Sequence, residues 1–137
     1  MKNILLAIIF IFLFECNVVA SEYAVVANKN MPQLSKAQVK AIFLKKMLVT
    51  HDIKIVPINL SPRDPLRISF EKHILKTNFR RLKSYWMKQH YLGHRPPVSL
   101  KSQKSSLAFL KKVDGAITYI DIKNIDNTMN IILRWSN

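Results

Sequence analysis

The chain has 137 residues, with 22 Lys and Arg against 8 Asp and Glu, a net charge of +14 at neutral pH. That length accommodates one domain with one modest core, and a single cysteine, Cys16, excludes a disulfide scaffold. The charge points to a polyanion (nucleic acid, anionic lipid headgroups or a small oxyanion) or to a lysine-rich solvated surface.

Lys2 and the apolar run from Ile4 to Phe14, followed by Asn17 to Ala20, have the three-part layout of a secretory leader. The run is shorter than the roughly 20 helical residues that span a bilayer. The reading is a signal peptide over residues 1–20, cleaved after Ala20, and one domain over residues 21–137. A retained anchor is the competing reading. A lipoprotein is disfavoured because Glu15 stands where a small residue is needed before Cys16. Export to the periplasm or beyond demotes nucleic acid as a partner and removes the only cysteine.

Tyr23 to Ala27 (YAVVA) reads as a buried strand ending in the turn Asn28 to Asn30. Ser35 with Gln38 three residues on is a capping box, opening a helix whose Val39, Ile42 and Phe43 share a face. Ile53 to Ile58 reads as a second strand, with Pro57 marking an edge position or the strand end. Ser61-Pro62-Arg63-Asp64-Pro65 holds two helix starts, Ser61 before Pro62 or Asp64 before Pro65. Leu66, Phe70 and Ile74 then repeat on one stripe. Thr77 or Asn78 caps the next helix, with Phe79, Leu82, Tyr85, Trp86 and Gln89 along one side and Gly93 as its stop. A helix from about Ser102 to Lys112 turns Leu107 and Leu110 inward. Ala116 to Ile120 and Met129 to Trp135 read as closing strands. The order β-α-β-α-α-α-β-β predicts an α/β domain with a mixed sheet flanked by helices.

The chemistry concentrates where the second strand turns through Ser61 into a helix bearing Arg63 and Arg67. A helix start offers free N–H groups and partial positive charge to an anion. A hydroxyl and two guanidiniums add charge-assisted hydrogen bonds suited to phosphate or carboxylate. The bland alternative makes Ser61 a cap, leaves Arg63 to Asp64 or solvent, and pairs Arg67 with Glu71 at i+4. Ser102, behind Lys101 and ahead of Gln103, is a second candidate anion contact. His90 and His94 have a metal-like spacing, but Gly93 interrupts it and no acidic ligand lies near, so no metal is expected. His51-Asp52 reads as a turn. Tyr85, Trp86 and Tyr91 suit core packing better than stacking on bases or sugars. No nucleophile elbow or carboxylate pair is present, so neither a catalytic residue nor a cofactor is assigned.

Five segments, in this order, carry a family resemblance: LSKAQVKAIFL (Leu34 to Leu44), Pro62 to Phe70, Tyr85-Trp86, Gly93 with Pro96-Pro97, and Gly115-Ala116-Ile117-Thr118-Tyr119. Together they resemble short, single-domain relatives of the periplasmic phosphate-binding proteins of ABC transporters. The resemblance implies a single lobe of a type II periplasmic-binding-protein-like fold and a non-enzymatic solute-binding role. It also implies an oxyanion ligand such as phosphate, with an ABC permease as partner. The chain departs from the family pattern at Lys45 and Thr118, which stand where the family has Gly, and Met47 to Asp52 lacks its Trp-x-Asp-Gly turn. The family's Ser-Gly-Thr ligand turn is replaced by Ser61 to Arg67 without Gly.

The expected ligand site is therefore Ser61, Arg63, Arg67 and Ser102, holding a small oxyanion at a helix N-terminus. The alternative is a receptor-fold module that has lost its ligand and docks on an acidic envelope protein or an anionic membrane surface. The oligomeric state is left open.

Overall fold

The structure, a computed structural model, describes residues 20–137. The signal-peptide reading lies outside the described residues except for Ala20. Elements follow in the order β1 (Glu22–Asn28), α1 (Lys36–Phe43), β2 (Val49–Thr50), β3 (Ile53–Lys54), β4 (Val56–Leu60), α2 (Pro65–His73), α3 (Phe79–Tyr91), β5 (Val98–Leu100), α4 (Gln103–Lys112), β6 (Ala116–Asp121) and β7 (Met129–Ser136). No described helix is long and apolar enough to cross a membrane.

Five strands form one mixed sheet in the order β5-β4-β6-β1-β7. β4 runs parallel to β5 and β6, and β1 runs antiparallel to β6 and β7. Residues of β1 alternate between two cores because successive side chains leave opposite faces of a strand. Val25 and Ala27 face a large cluster containing Ile42, Phe43, Leu66, Phe70, Leu82 and Tyr119, contributed by α1, α2, α3 and β6. Ala24 and Val26 face Leu110 of α4 with Ala116, Ile120 and Met129. The result is three layers, with α4 alone on its face. At the centre of the larger core the Tyr119 ring stacks on Phe70 at 4.1 Å, and Phe43 meets Phe70 edge-on at 4.7 Å.

The helix starts follow the local chemistry. Ser35 accepts from the Gln38 N–H at 3.1 Å while the Gln38 side chain accepts from the Ser35 N–H at 2.8 Å, the reciprocal capping box. Asn78, not Thr77, caps α3. Leu66, Phe70 and Ile74 are buried as their spacing predicts.

Three features correct the sequence reading. Ile53 to Ile58 is two elements: β3 pairs with β2 in a small hairpin through His51 and Asp52, both at positive φ, and β4 begins only at Val56. Pro57 lies in an interior strand. Its neighbour Val56 gives its N–H to Gly115 O at 2.7 Å, so the Pro57 nitrogen faces away from β6, where β5 does not begin to pair until Ile58. Phe79 is exposed, at the margin of the α3 stripe rather than within it.

The departures from the family pattern have local accommodations. Lys45 adopts φ 60°, the left-handed conformation that a glycine takes without a Cβ penalty. Thr118 is fully buried, and its hydroxyl donates to Ile58 O at 2.9 Å across the β4–β6 seam. Gly115 is irreplaceable by contact: a Cβ there would lie 1.7 Å from Lys54 O.

Candidate functional site

β4 and β5 end side by side, with Leu60 opposite Leu100 in register. The chain leaves these parallel strands through Ser61 into α2 and through Lys101-Ser102 into α4. Two helix N-termini therefore open at the carboxyl edge of one sheet, the usual location of ligand crevices in open α/β sheets. β6 ends there too, because the Asp121 N–H donates to the Gln103 side chain at 2.9 Å.

Arg67 occupies the junction. Its Nε donates to Glu71 Oε1 at 2.8 Å, and its Nη1 donates to Leu60 O at 2.8 Å and Ser99 Oγ at 3.3 Å. Three of the five guanidinium N–H groups are used in these contacts, which leaves the Nη2 pair. The Arg67 and Glu71 side chains are only 12% and 6% exposed. The i+4 pairing read as the bland alternative is thus present, and it also fixes the guanidinium across the ends of β4 and β5.

α2 begins at Pro65, with Asp64 as its cap accepting from the Leu66 N–H at 2.9 Å. Of the two starts in the sequence, Asp-Pro is the one used, and Ser61 lies in the preceding turn, its carbonyl accepting from the Asp64 N–H at 2.9 Å. The picture of a helix opening at Ser61 is corrected accordingly. The physical consequence is unfavourable to an anion at α2, because a carboxylate already sits at the positive end of that helix. α4 differs. Ser102 caps it as a neutral hydroxyl, accepting from the Ser105 N–H at 3.1 Å and donating to Ser105 Oγ at 3.0 Å, and its first turn has no acidic residue.

Ser61, Arg67 and Ser102 are brought to the carboxyl ends of β4 and β5, whereas Arg63 stands exposed on the turn. Ser61 and Arg63 also border an open groove of about 890 Å³ between α2 and the start of α3, walled by Ile68, Lys72 and Phe79. Arg67 and Ser102 do not line it, although Glu71, the partner of Arg67, does, so the groove adjoins the strand-end site without coinciding with it. Ser99 and the Leu60 carbonyl were not singled out from the sequence. They carry no motif, and only the pairing of β5 with β4 brings them to Arg67.

Behind the site, Tyr119 Oη accepts from the Leu60 N–H at 3.1 Å and donates to Asn59 Oδ1 at 2.9 Å, locking the last turn of β4. Burial holds the Tyr119 phenol far above the ordinary tyrosine range, so it stays a neutral donor. Tyr85 and Trp86 pack edge-on at 4.8 Å on the inner side of α3, as expected for core aromatics, but Tyr91 is exposed.

This α/β lobe, with its mixed sheet and helices on both faces, shares its fold with solved structures of the periplasmic-binding-protein type. The chain is similar to an ABC-type phosphate transport receptor from Vibrio cholerae, with a TM-score of 0.64 and 17% identity over 82% of this chain and 46% of that one. It is similar also to a putative phosphate ABC transporter substrate-binding protein with bound phosphate from Clostridium perfringens, with a TM-score of 0.66 and 17% identity over 82% of this chain and 45% of that one. The chain thus spans less than half the length of either protein. No protein-family model matches it, and no curated protein matches it in sequence.

Proposed function

We propose that the protein is an exported, non-enzymatic solute-binding protein that takes phosphate or another tetrahedral oxyanion at the carboxyl ends of β4 and β5. The observation that carries this reading is Arg67, a guanidinium anchored by Glu71, Leu60 O and Ser99 at the junction of two parallel strands. The bonded hydroxyls of Ser102 and Ser105, with the carboxylate-free first turn of α4, supply neutral hydrogen-bonding groups, Ser61 a hydroxyl on the facing turn, and Arg63 a longer-range charge. The likeness to phosphate receptors supports the choice of ligand, and the leader-like residues 1–20 support export. An anion held by one lobe stays solvated on its open side, so affinity is modest. An ABC permease is the partner this role implies.

Thermal unfolding with phosphate and sulfate tests the reading. At tenfold excess over Kd, binding adds about 1.4 kcal/mol, a Tm rise of about 5 °C for a domain of this size. Arg67→Ala and Ser102→Ala lose the response. No shift at millimolar phosphate or sulfate refutes it.

The Asp64 carboxylate and the single lobe favour a second reading, a receptor-fold module that docks on an acidic envelope protein or an anionic surface. Salt-sensitive association without any anion response supports that reading, and association indifferent to salt counts against it.

A further inference from the structure

Helix α3 turns two different faces outward and inward. Leu82, Tyr85, Trp86 and Gln89 face the sheet and are buried or half-buried. Phe79, Lys83, Met87 and Tyr91 follow one another at every fourth position, so they line a single ridge. That ridge is open: Phe79 is 60%, Met87 57% and Tyr91 86% exposed, and Leu92 just beyond is 69% exposed. Nothing among the described residues covers it. Arg80, Lys83, Lys88 and His90 stand exposed beside these apolar groups. The surrounding sequence is one-signed, with eleven Lys and Arg and no carboxylate between Glu71 and Asp114.

A soluble polyanion would use the cations and leave Phe79, Met87 and Tyr91 in water. An apolar protein groove would cover those three and have no use for a carboxylate-free flank. A bilayer with anionic headgroups meets both needs, since apolar side chains enter the interfacial zone while Lys and Arg stay with the phosphates. We propose that the outward ridge of α3 seats the protein on an anionic lipid surface, with Phe79, Met87 and Tyr91 inserted and Arg80, Lys83 and Lys88 at the headgroups. Phe79 borders the groove that Ser61 and Arg63 also line, but Arg67 and Ser102 do not line it, so the proposal gives the second reading a surface and does not rest on the oxyanion reading.

Sedimentation of the full chain with phosphatidylcholine vesicles, with and without phosphatidylglycerol, tests the proposal. The N-terminal apolar run is common to every variant, so differences between variants report on α3. Partition rises on adding phosphatidylglycerol and falls with salt. Arg80→Gln with Lys83→Gln lowers that increment about 25-fold, at roughly fivefold per charge. Phe79→Ser, Met87→Ser and Tyr91→Ser together abolish it at moderate salt, while circular dichroism stays native because all three side chains are exposed. No increment with phosphatidylglycerol overturns the proposal. So does wild-type partition by the triple Ser variant, the mark of a contact through cations alone.

Discussion

Arg67→Ala isolates the junction on which the site rests. The substitution removes a guanidinium that bonds Glu71 Oε1 and Leu60 O at 2.8 Å each and Ser99 Oγ at 3.3 Å. It leaves the Glu71 carboxylate, whose side chain is 6% exposed, without its cation. An exposed ion pair contributes about 0–1 kcal/mol, whereas orphaning one member of a buried pair costs about 3–5 kcal/mol. With the Arg67 side chain 12% exposed, the loss belongs at the lower end of the buried range, about 3 kcal/mol. With an m-value of about 1.5 kcal/mol/M, the urea midpoint falls by about 2 M. Arg67→Met combined with Glu71→Leu recovers most of that loss, because no charge is then left buried. Equilibrium urea unfolding of Arg67→Met, Glu71→Leu and the double variant completes the cycle. A loss below about 1 kcal/mol for Arg67→Ala, or a double variant no more stable than Arg67→Ala, refutes the reasoning.

Four further outcomes follow from particular contacts. Gly115→Ala forces a Cβ against Lys54 O, at 1.7 Å without movement, and lowers stability by about 3 kcal/mol in urea unfolding. Lys45→Gly relieves the left-handed backbone at φ 60° and raises stability by about 0.5–1 kcal/mol in the same assay. Asp64→Asn keeps an equivalent cap for α2 but removes its charge, so phosphate titration shows affinity rising about two- to fivefold. Tyr119 has a folded pKa raised above its unfolded value by burial. Its contribution is therefore complete below about pH 10 and lost as pH rises beyond it. Urea midpoints measured from pH 9 to 11 fall more steeply for the wild type than for Tyr119→Phe.

Legibility followed the range of the interaction. α1 was readable because Ser35 and Gln38 lie three residues apart and complete each other. α2 was readable as a helix, but its first residue was not, because Ser61-Pro62 and Asp64-Pro65 are equivalent start signals. What separates them is the turn that brings the Asp64 N–H to Ser61 O. The β2–β3 hairpin escaped notice because His51 and Asp52 hold positive φ without the glycine that usually announces such a turn. β5 escaped because Val98 to Leu100 is short and largely exposed, and its one strand partner among the described residues, β4, is remote in sequence. The Arg67–Glu71 pair was visible at i+4, whereas Leu60 O and Ser99 become its neighbours only through that parallel pairing. Phe79 misled because the first residue of a helix sits where a periodic stripe is least constrained. The resemblance identified the fold from scattered short segments, although at 17% identity no longer stretch would.

The position of β1 has a consequence for the order in which the molecule assembles. β1 is the first strand made, yet both of its neighbours, β6 and β7, are the last, and Tyr23 must wait for both Asp121 and Trp135. A ribosome-bound chain that has not yet made β6 and β7 leaves β1 with neither neighbour and separated from β4, so helices made in between have no finished surface to settle on. Closure is thus a late, whole-chain event that depends on contacts far apart in sequence, the class that folds slowly. A chain stopped before Met129 exposes the edge of β1, with Val25 and Val26, to other chains.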